Sequence, residues 1–191
     1  MIKVGLIGED PNDTNSIKNL ISQKHGKNFV FKQLIKNKKG YQLDNKNVQK
    51  ALKIQFEEYK PKIVLFIRDA DALETEKAKI NKVISWFIKL NIVVNNNGIL
   101  LINIYELEAL ILADIDTFNN LYKTNINFTG NVAFKKEPKE FLILKTRNNK
   151  KKYSESDCPE LFKELRFDTI TQNCKYFSDF IVELKKAAKI K

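Results

Sequence analysis

The sequence predicts an α/β protein with a mostly parallel sheet, flanked by helices and followed by a helical extension. Three observations predict it. Ile63 to Ile67 is an unbroken apolar run, the form taken by a central parallel strand covered on both faces. Ile2 to Ile7 and Ile99 to Ile104 are mainly apolar and read as further buried strands. Between the runs lie segments whose apolar residues recur at three and four, the period of an amphipathic helix.

Taken in order, Ile2 to Ile7 is the first strand, and Gly8 and the turn from Asp10 to Asp13 close it. Asn12 or Asp13 is placed to cap a helix running to about Lys24, with Ile17, Leu20 and Ile21 inward. Phe29 to Ile35 is a second strand and Lys36 to Asp44 a basic loop. A helix from Asn45 to Tyr59 carries Val48, Leu52 and Phe56 on one stripe, and Pro61 stops it before the Ile63 strand. The next helix, Thr75 to Leu90, turns Ile80, Val83, Ile84 and Phe87 inward, with Trp86 in the core. The strand Ile99 to Ile104 leads into a helix that starts at Tyr105 to Leu112. Residues 1–115 form the α/β core, and residues 116–191 a helical extension packed on it as part of one compact unit. Its helices are expected over Asp116 to Tyr122, Pro138 to Leu144, Pro159 to Leu165 and Thr169 to Ala188. There is no internal repeat and no low-complexity linker.

Composition narrows the functional classes. A chain of 191 residues that is 43% hydrophobic, with 13 Phe, has enough apolar surface to offset the entropy of ordering. Its apolar runs fall far short of the roughly 20 residues of a membrane span, and no secretory signal pattern opens it, so no membrane partner and a cytoplasmic location are expected. Two cysteines, Cys158 and Cys174, with the single His25 match no zinc spacing, and both thiols are expected as reduced packing residues. His25 is expected at a surface or helix-cap position, and Tyr41, Tyr105 and Tyr153 as packing residues before base-stacking ones.

The chemistry lies in the acids. Ligands of open α/β sheets bind beyond the carboxyl ends of the strands. Here one apolar strand is followed by Glu9 and Asp13, a second by Asp69 and Asp71, and a third by Glu106 and Glu108. Each could singly cap a helix; three acidic strand ends on one edge repel strongly and call for protons or cations. Oxygen donors without His or Cys select Mg²⁺ or Mn²⁺.

The order of these motifs resembles the TOPRIM fold of topoisomerases, primases and OLD-type nucleases: a strand with Gly8-Glu9 and a helix, then a hydrophobic strand ending in Asp69-x-Asp71. Glu106 to Asp114 is similar to the Glu-Ala-Trp-Leu-Leu-Ala-Asp signature of a family of small bacterial TOPRIM-like proteins, with Leu110 in place of Trp. Glu137 to Leu142 and Phe177 to Leu184 resemble that family's Pro-Lys and Phe-x-x-Phe stretches. The resemblance implies metal ligands at Glu9, Asp13, Asp69, Asp71 and Glu108, and catalytic roles for Glu9, Asp69, Asp71 and Lys139. It implies a Mg²⁺- or Mn²⁺-dependent nuclease acting on DNA or RNA, in which Lys139 stabilises the transition state. A role in anti-phage defence with an activating partner protein follows from the resemblance alone. The sequence Gly8-Glu9-Asp10-Pro11 departs from the usual TOPRIM motif and keeps a catalytically silent nucleic-acid or protein-binding module in view. A receiver-like phosphoacceptor is a further alternative, although Asp69 lies 59 residues beyond Asp10, which is wide for it.

The formal net charge of +11 is segregated. Lys24 to Lys62 carries +8 and Lys135 to Lys152 carries +6, whereas Ile63 to Glu76 carries −3 and Ile104 to Asp116 carries −4. Lys36, Lys38, Lys39, Arg147, Lys150, Lys151 and Lys152 are therefore expected to bind phosphates around an acidic centre.

Overall fold

A computed structural model describes residues 1–35, 42 and 45–190. The chain is an α/β protein built on a four-stranded, all-parallel sheet: β1 (Ile2–Gly8), β2 (Phe29–Gln33), β3 (Ile63–Asp69) and β4 (Gly98–Asn103), in the spatial order β2-β1-β3-β4. Crossovers are made by α1 (Pro11–His25), α2 (Lys46–Tyr59) and α3 (Lys77–Val93). The extension contributes α4 (Ala109–Ala113), α5 (Ile115–Tyr122), α6 (Pro138–Thr146), α7 (Cys158–Glu164), α8 (Phe167–Asn173) and α9 (Lys175–Ala188). Among the described residues no helix is long and apolar enough to cross a membrane.

Strand alternation sorts the core into two layers. Val4, Leu6, Ile63, Leu65, Ile67 and Leu101 point to the face covered by α1 and the extension. Ile7, Val64 and Phe66 point to the face covered by α2 and α3. The chain leaves β1 toward β2 through α1 and returns past β1 to β3 through α2, so the helices change faces where the winding reverses, as right-handed crossovers require. That reversal lies between β1 and β3, whose carboxyl ends are registered at Gly8 and Ile67. It is the crevice where open α/β sheets place ligands.

The extension shares the core of the sheet; Phe118, Phe162, Phe177 and Leu184 lie in the same apolar cluster as Val4 and Leu65. Polar contacts fasten it to α1: Asn19 donates to the Pro159 carbonyl at 2.7 Å and Gln23 to the Leu165 carbonyl at 2.6 Å.

Several local expectations change. The cap of α1 is Asp10, which accepts from the Asn12 amide at 2.7 Å, because Pro11 occupies the first helical turn and lacks a donor of its own. Asp13 is thereby inside the helix. On α3 the inward residues are Val83, Trp86 and Leu90, while Ile84 is exposed. The helix expected over Thr169 to Ala188 is two, broken at Cys174, whose backbone is extended. His25 is buried, set edge-on against Phe29 and Phe167, and burial together with Lys185 and Lys24 lowers its pKa. Cys158 and Cys174 are both buried free thiols.

Candidate functional site

The close fit of α1 over the end of β1 begins at Gly8, where a Cβ would stand 2.6 Å from the Thr14 methyl. This brings the first turn of α1 down onto the carboxyl edge of the sheet and buries Asp13 there. Asp69 ends β3 beside it, half-buried, and accepts a hydrogen bond of 2.9 Å from the Asn103 amide. Asn103 is the registered neighbour of Asp69 on β4. Glu108, at the start of α4, is 3% exposed. Three strand ends thus bring Asp13, Asp69 and Glu108 into one electrostatic group.

The energetics of the group follow from burial and mutual repulsion. Burial, then Asp10, Glu108, Glu155 and Glu9, push Asp13 up to about 8. Burial and Asp13 push Asp69 well above the usual carboxylate range, against the hydrogen bond from Asn103. Glu108 is pushed up to about 7, mainly by burial, with the Tyr153 hydroxyl opposing. Glu9 borders the group and pairs with Arg68 at 2.8 Å. The Arg68 guanidinium lies over the Trp86 ring, 4.7 Å from its centroid.

The remaining expected site residues are placed differently. Asp71 is exposed on the turn after β3, in a left-handed conformation with φ of 47°, and its main chain is used by Tyr105 and Lys79. Asp69 is half-buried and Asp71 exposed, so the two carboxylates face different surroundings. Lys139 is held between Glu106 at 3.4 Å and Glu155 at 3.6 Å, and its backbone amide donates to Glu106 at 3.3 Å. Burial works against its charge, but Glu106, Glu155 and Glu108 outweigh that and raise its pKa. Arg147, Lys150, Lys151 and Lys152 are exposed. Lys36, Lys38, Lys39 and Tyr41 lie outside the described residues.

The structure adds residues from the extension. Tyr153, expected as packing, is buried and donates its hydroxyl to Glu108 Oε1 at 3.0 Å, with Cys158 Sγ also 3.0 Å from that hydroxyl. A chain from thiol to hydroxyl to carboxylate satisfies all three groups, so the apolar environment is tolerated. Ser154 and Asp157 form a capping box that sets the turn between Tyr153 and Cys158. Replacing Tyr153 by Phe removes this side-chain donor to Glu108 and raises its pKa further; we expect a loss of about 1 to 2 kcal/mol, read by urea denaturation at neutral pH. Equal stability of the two proteins would show that Glu108 needs no such donor. Asn103 had a visible signal, being the single polar residue in the apolar run from Ile99 to Ile104. Tyr153 and Cys158 had none.

Whether this set suits a hard divalent cation can be judged from its donors. All are oxygens, and burial with crowding raises the pKa of Asp13, Asp69 and Glu108. Among the described residues the Asn103 Oδ1 and Ser16 Oγ atoms are buried without a hydrogen-bond partner, the first beside Asp69 and the second one turn after Asp13. The donor chemistry fits Mg²⁺ or Mn²⁺. The spacing is wider than ligation: among the described residues no group of three or more His, Cys, Asp or Glu side chains could hold a metal ion as placed.

Compared with family models, curated proteins and solved structures, the chain matches none.

Proposed function

We propose that the chain is a Mg²⁺- or Mn²⁺-dependent phosphodiester hydrolase acting on DNA or RNA, with its centre at the carboxyl edge of β1, β3 and β4. The observation that carries the reading is the convergence of buried Asp13 and Glu108 with half-buried Asp69 at the winding reversal of the sheet, held there against their mutual repulsion. A cation bound by these three would neutralise a phosphate and acidify a water molecule. The chain's own groups complete the arrangement. Asn103 and Tyr153 orient Asp69 and Glu108, and Lys139 ties α6 to Glu106 and Glu155. Lys150, Lys151 and Lys152 precede Tyr153 directly and so present exposed charge to a polyanion close to the acidic edge. Asp71 is left outside this centre. The buried, unbridged cysteines accord with a reducing cytoplasmic location. A defence role with an activating partner is part of the proposal through the TOPRIM-like resemblance alone.

The second reading is a catalytically silent nucleic-acid-binding module, favoured by the wide spacing of the acids and by the engagement of Lys139 with two glutamates. Incubating the protein with Mg²⁺ or Mn²⁺ and with duplex DNA, single-stranded DNA, RNA or tRNA separates the two. Hydrolysis should depend on the cation and be lost in Asp69→Asn and Asp13→Asn, with Glu9→Gln reporting the part played by the bordering acid. Nucleic-acid binding without cleavage selects the silent module, and a protein that binds neither cation nor nucleic acid refutes both.

A further inference from the structure

On the face of the sheet away from the extension, α3 exposes isoleucines at four-residue spacing: Ile84 is 36% exposed, Ile88 54% and Ile92 66%. A monomeric helix rarely leaves such a ridge in water. Beside it, two hollows of about 430 Å³ each run between α2 and α3, and Gln49 lines both. Trp86, Leu90 and Val93 supply apolar walls. The charges are all of one sign: Lys46, Lys50 and Lys53 on α2, Lys82 and Lys89 on α3, with no carboxylate in either lining among the described residues.

We propose that the groove between α2 and α3 is a docking site for an acidic amphipathic helix of a partner protein. Apolar anchors on such a helix would cover Ile88, Ile92 and the hollow at Trp86, while glutamates or aspartates beside them would meet the lysines on both rims. A second copy of the chain suits the groove poorly, because a self-complementary contact sets lysine against lysine. Nucleic acid would engage the lysines and leave the isoleucine ridge wet. A lipid surface is flat, whereas this surface is concave, and its one tryptophan is turned inward, 6% exposed. The groove does not depend on the proposed hydrolase activity. It does adjoin that centre through side chains in contact, since Trp86 carries the Arg68 guanidinium that pairs with Glu9.

Trp86 is the single tryptophan of the chain and lines the groove, so its emission reports occupancy directly. The probes are synthetic helical peptides about 18 residues long, with leucines on one face and glutamate, glutamine or lysine on the flanks. The glutamate peptide should shift Trp86 emission and bind at least about tenfold more tightly than the glutamine peptide. Ile88→Ser with Ile92→Ser should weaken it without unfolding the chain, both positions being exposed. Lys82→Glu with Lys89→Glu should exchange the preference, losing the glutamate peptide and gaining the lysine peptide. The proposal is overturned if the glutamate peptide leaves the emission unchanged, or if the glutamine peptide binds equally well. It is equally overturned if phosphatidylglycerol vesicles shift Trp86 when the peptide does not, or if sedimentation shows a dimer that Ile88→Ser with Ile92→Ser dissociates.

Discussion

Asp13→Asn should make the metal-free protein more stable at about pH 9 and leave it nearly unchanged at about pH 3. In the folded chain the Asp13 carboxyl titrates at about 8, against 3.8 when unfolded. Between those limits the folded state holds a proton that the unfolded state has released, so stability falls as pH rises through the window. The favourable contribution is whole below the unfolded value and gone above about 8. Asparagine keeps the shape, carries no charge and removes this dependence. Each pKa unit corresponds to about 1.4 kcal/mol, and the neighbouring Asp69 and Glu108 share the repulsion. We expect a rise in the thermal midpoint of at least about 5 °C at the higher pH. The same substitution should abolish the stabilisation that Mn²⁺ confers on the wild type there if the acidic edge binds a cation. Parallel pH profiles for the two proteins would show that Asp13 is not held protonated.

Arg166→Ala should destabilise the extension strongly for a change at a half-exposed residue. Asp114, between α4 and α5, has a side chain with no solvent exposure and accepts from the Arg166 backbone amide at 2.7 Å, from Nε at 3.0 Å and from Nη2. Alanine leaves that carboxylate buried with only the backbone donor of Arg166. Breaking a buried pair costs several kcal/mol; because the guanidinium is 54% exposed, we expect about 2 to 3 kcal/mol. That corresponds to a thermal midpoint lower by about 5 to 10 °C. Arg166→Lys should fall between, since an ammonium cannot present a fork to the carboxylate. The control is Asp116→Ala: Asp116 also faces Arg166, at 3.7 Å, but is 79% exposed, and its loss should stay within about 0.5 kcal/mol. Thermal denaturation of the three variants decides the matter, and equal effects of Arg166→Ala and Asp116→Ala would refute the assignment.

Much of the fold was legible because it is written in period and in run length. The unbroken apolar run Ile63 to Ile67 can be satisfied only by cover on both faces, and the structure supplies it with Val64 and Phe66 on one side and Ile63, Leu65 and Ile67 on the other. Boundaries were less legible. The apolar period continues across Cys174, so the break between α8 and α9 does not interrupt the pattern: a period reports which face is buried, not whether the backbone is continuous. His25 ends a polar stretch of α1 and reads as a surface residue, yet two phenylalanines, one of them 142 residues further along the chain, enclose it.

At the candidate site, the acids and the strand ends that carry them are readable from residue order, because a parallel sheet sends every such end to one edge. Which of these acids meet depends on packing between distant elements. Asp71 stands exposed on the turn after β3, and the packing of α7 on α1 delivers Tyr153 and Cys158 to Glu108. The placement of α6 commits Lys139 to Glu106 and Glu155. Local pattern specifies burial and backbone habit within a few turns of the chain; which polar groups share a buried pocket depends on side-chain directions from elements far apart in sequence, and these are set only when the core closes.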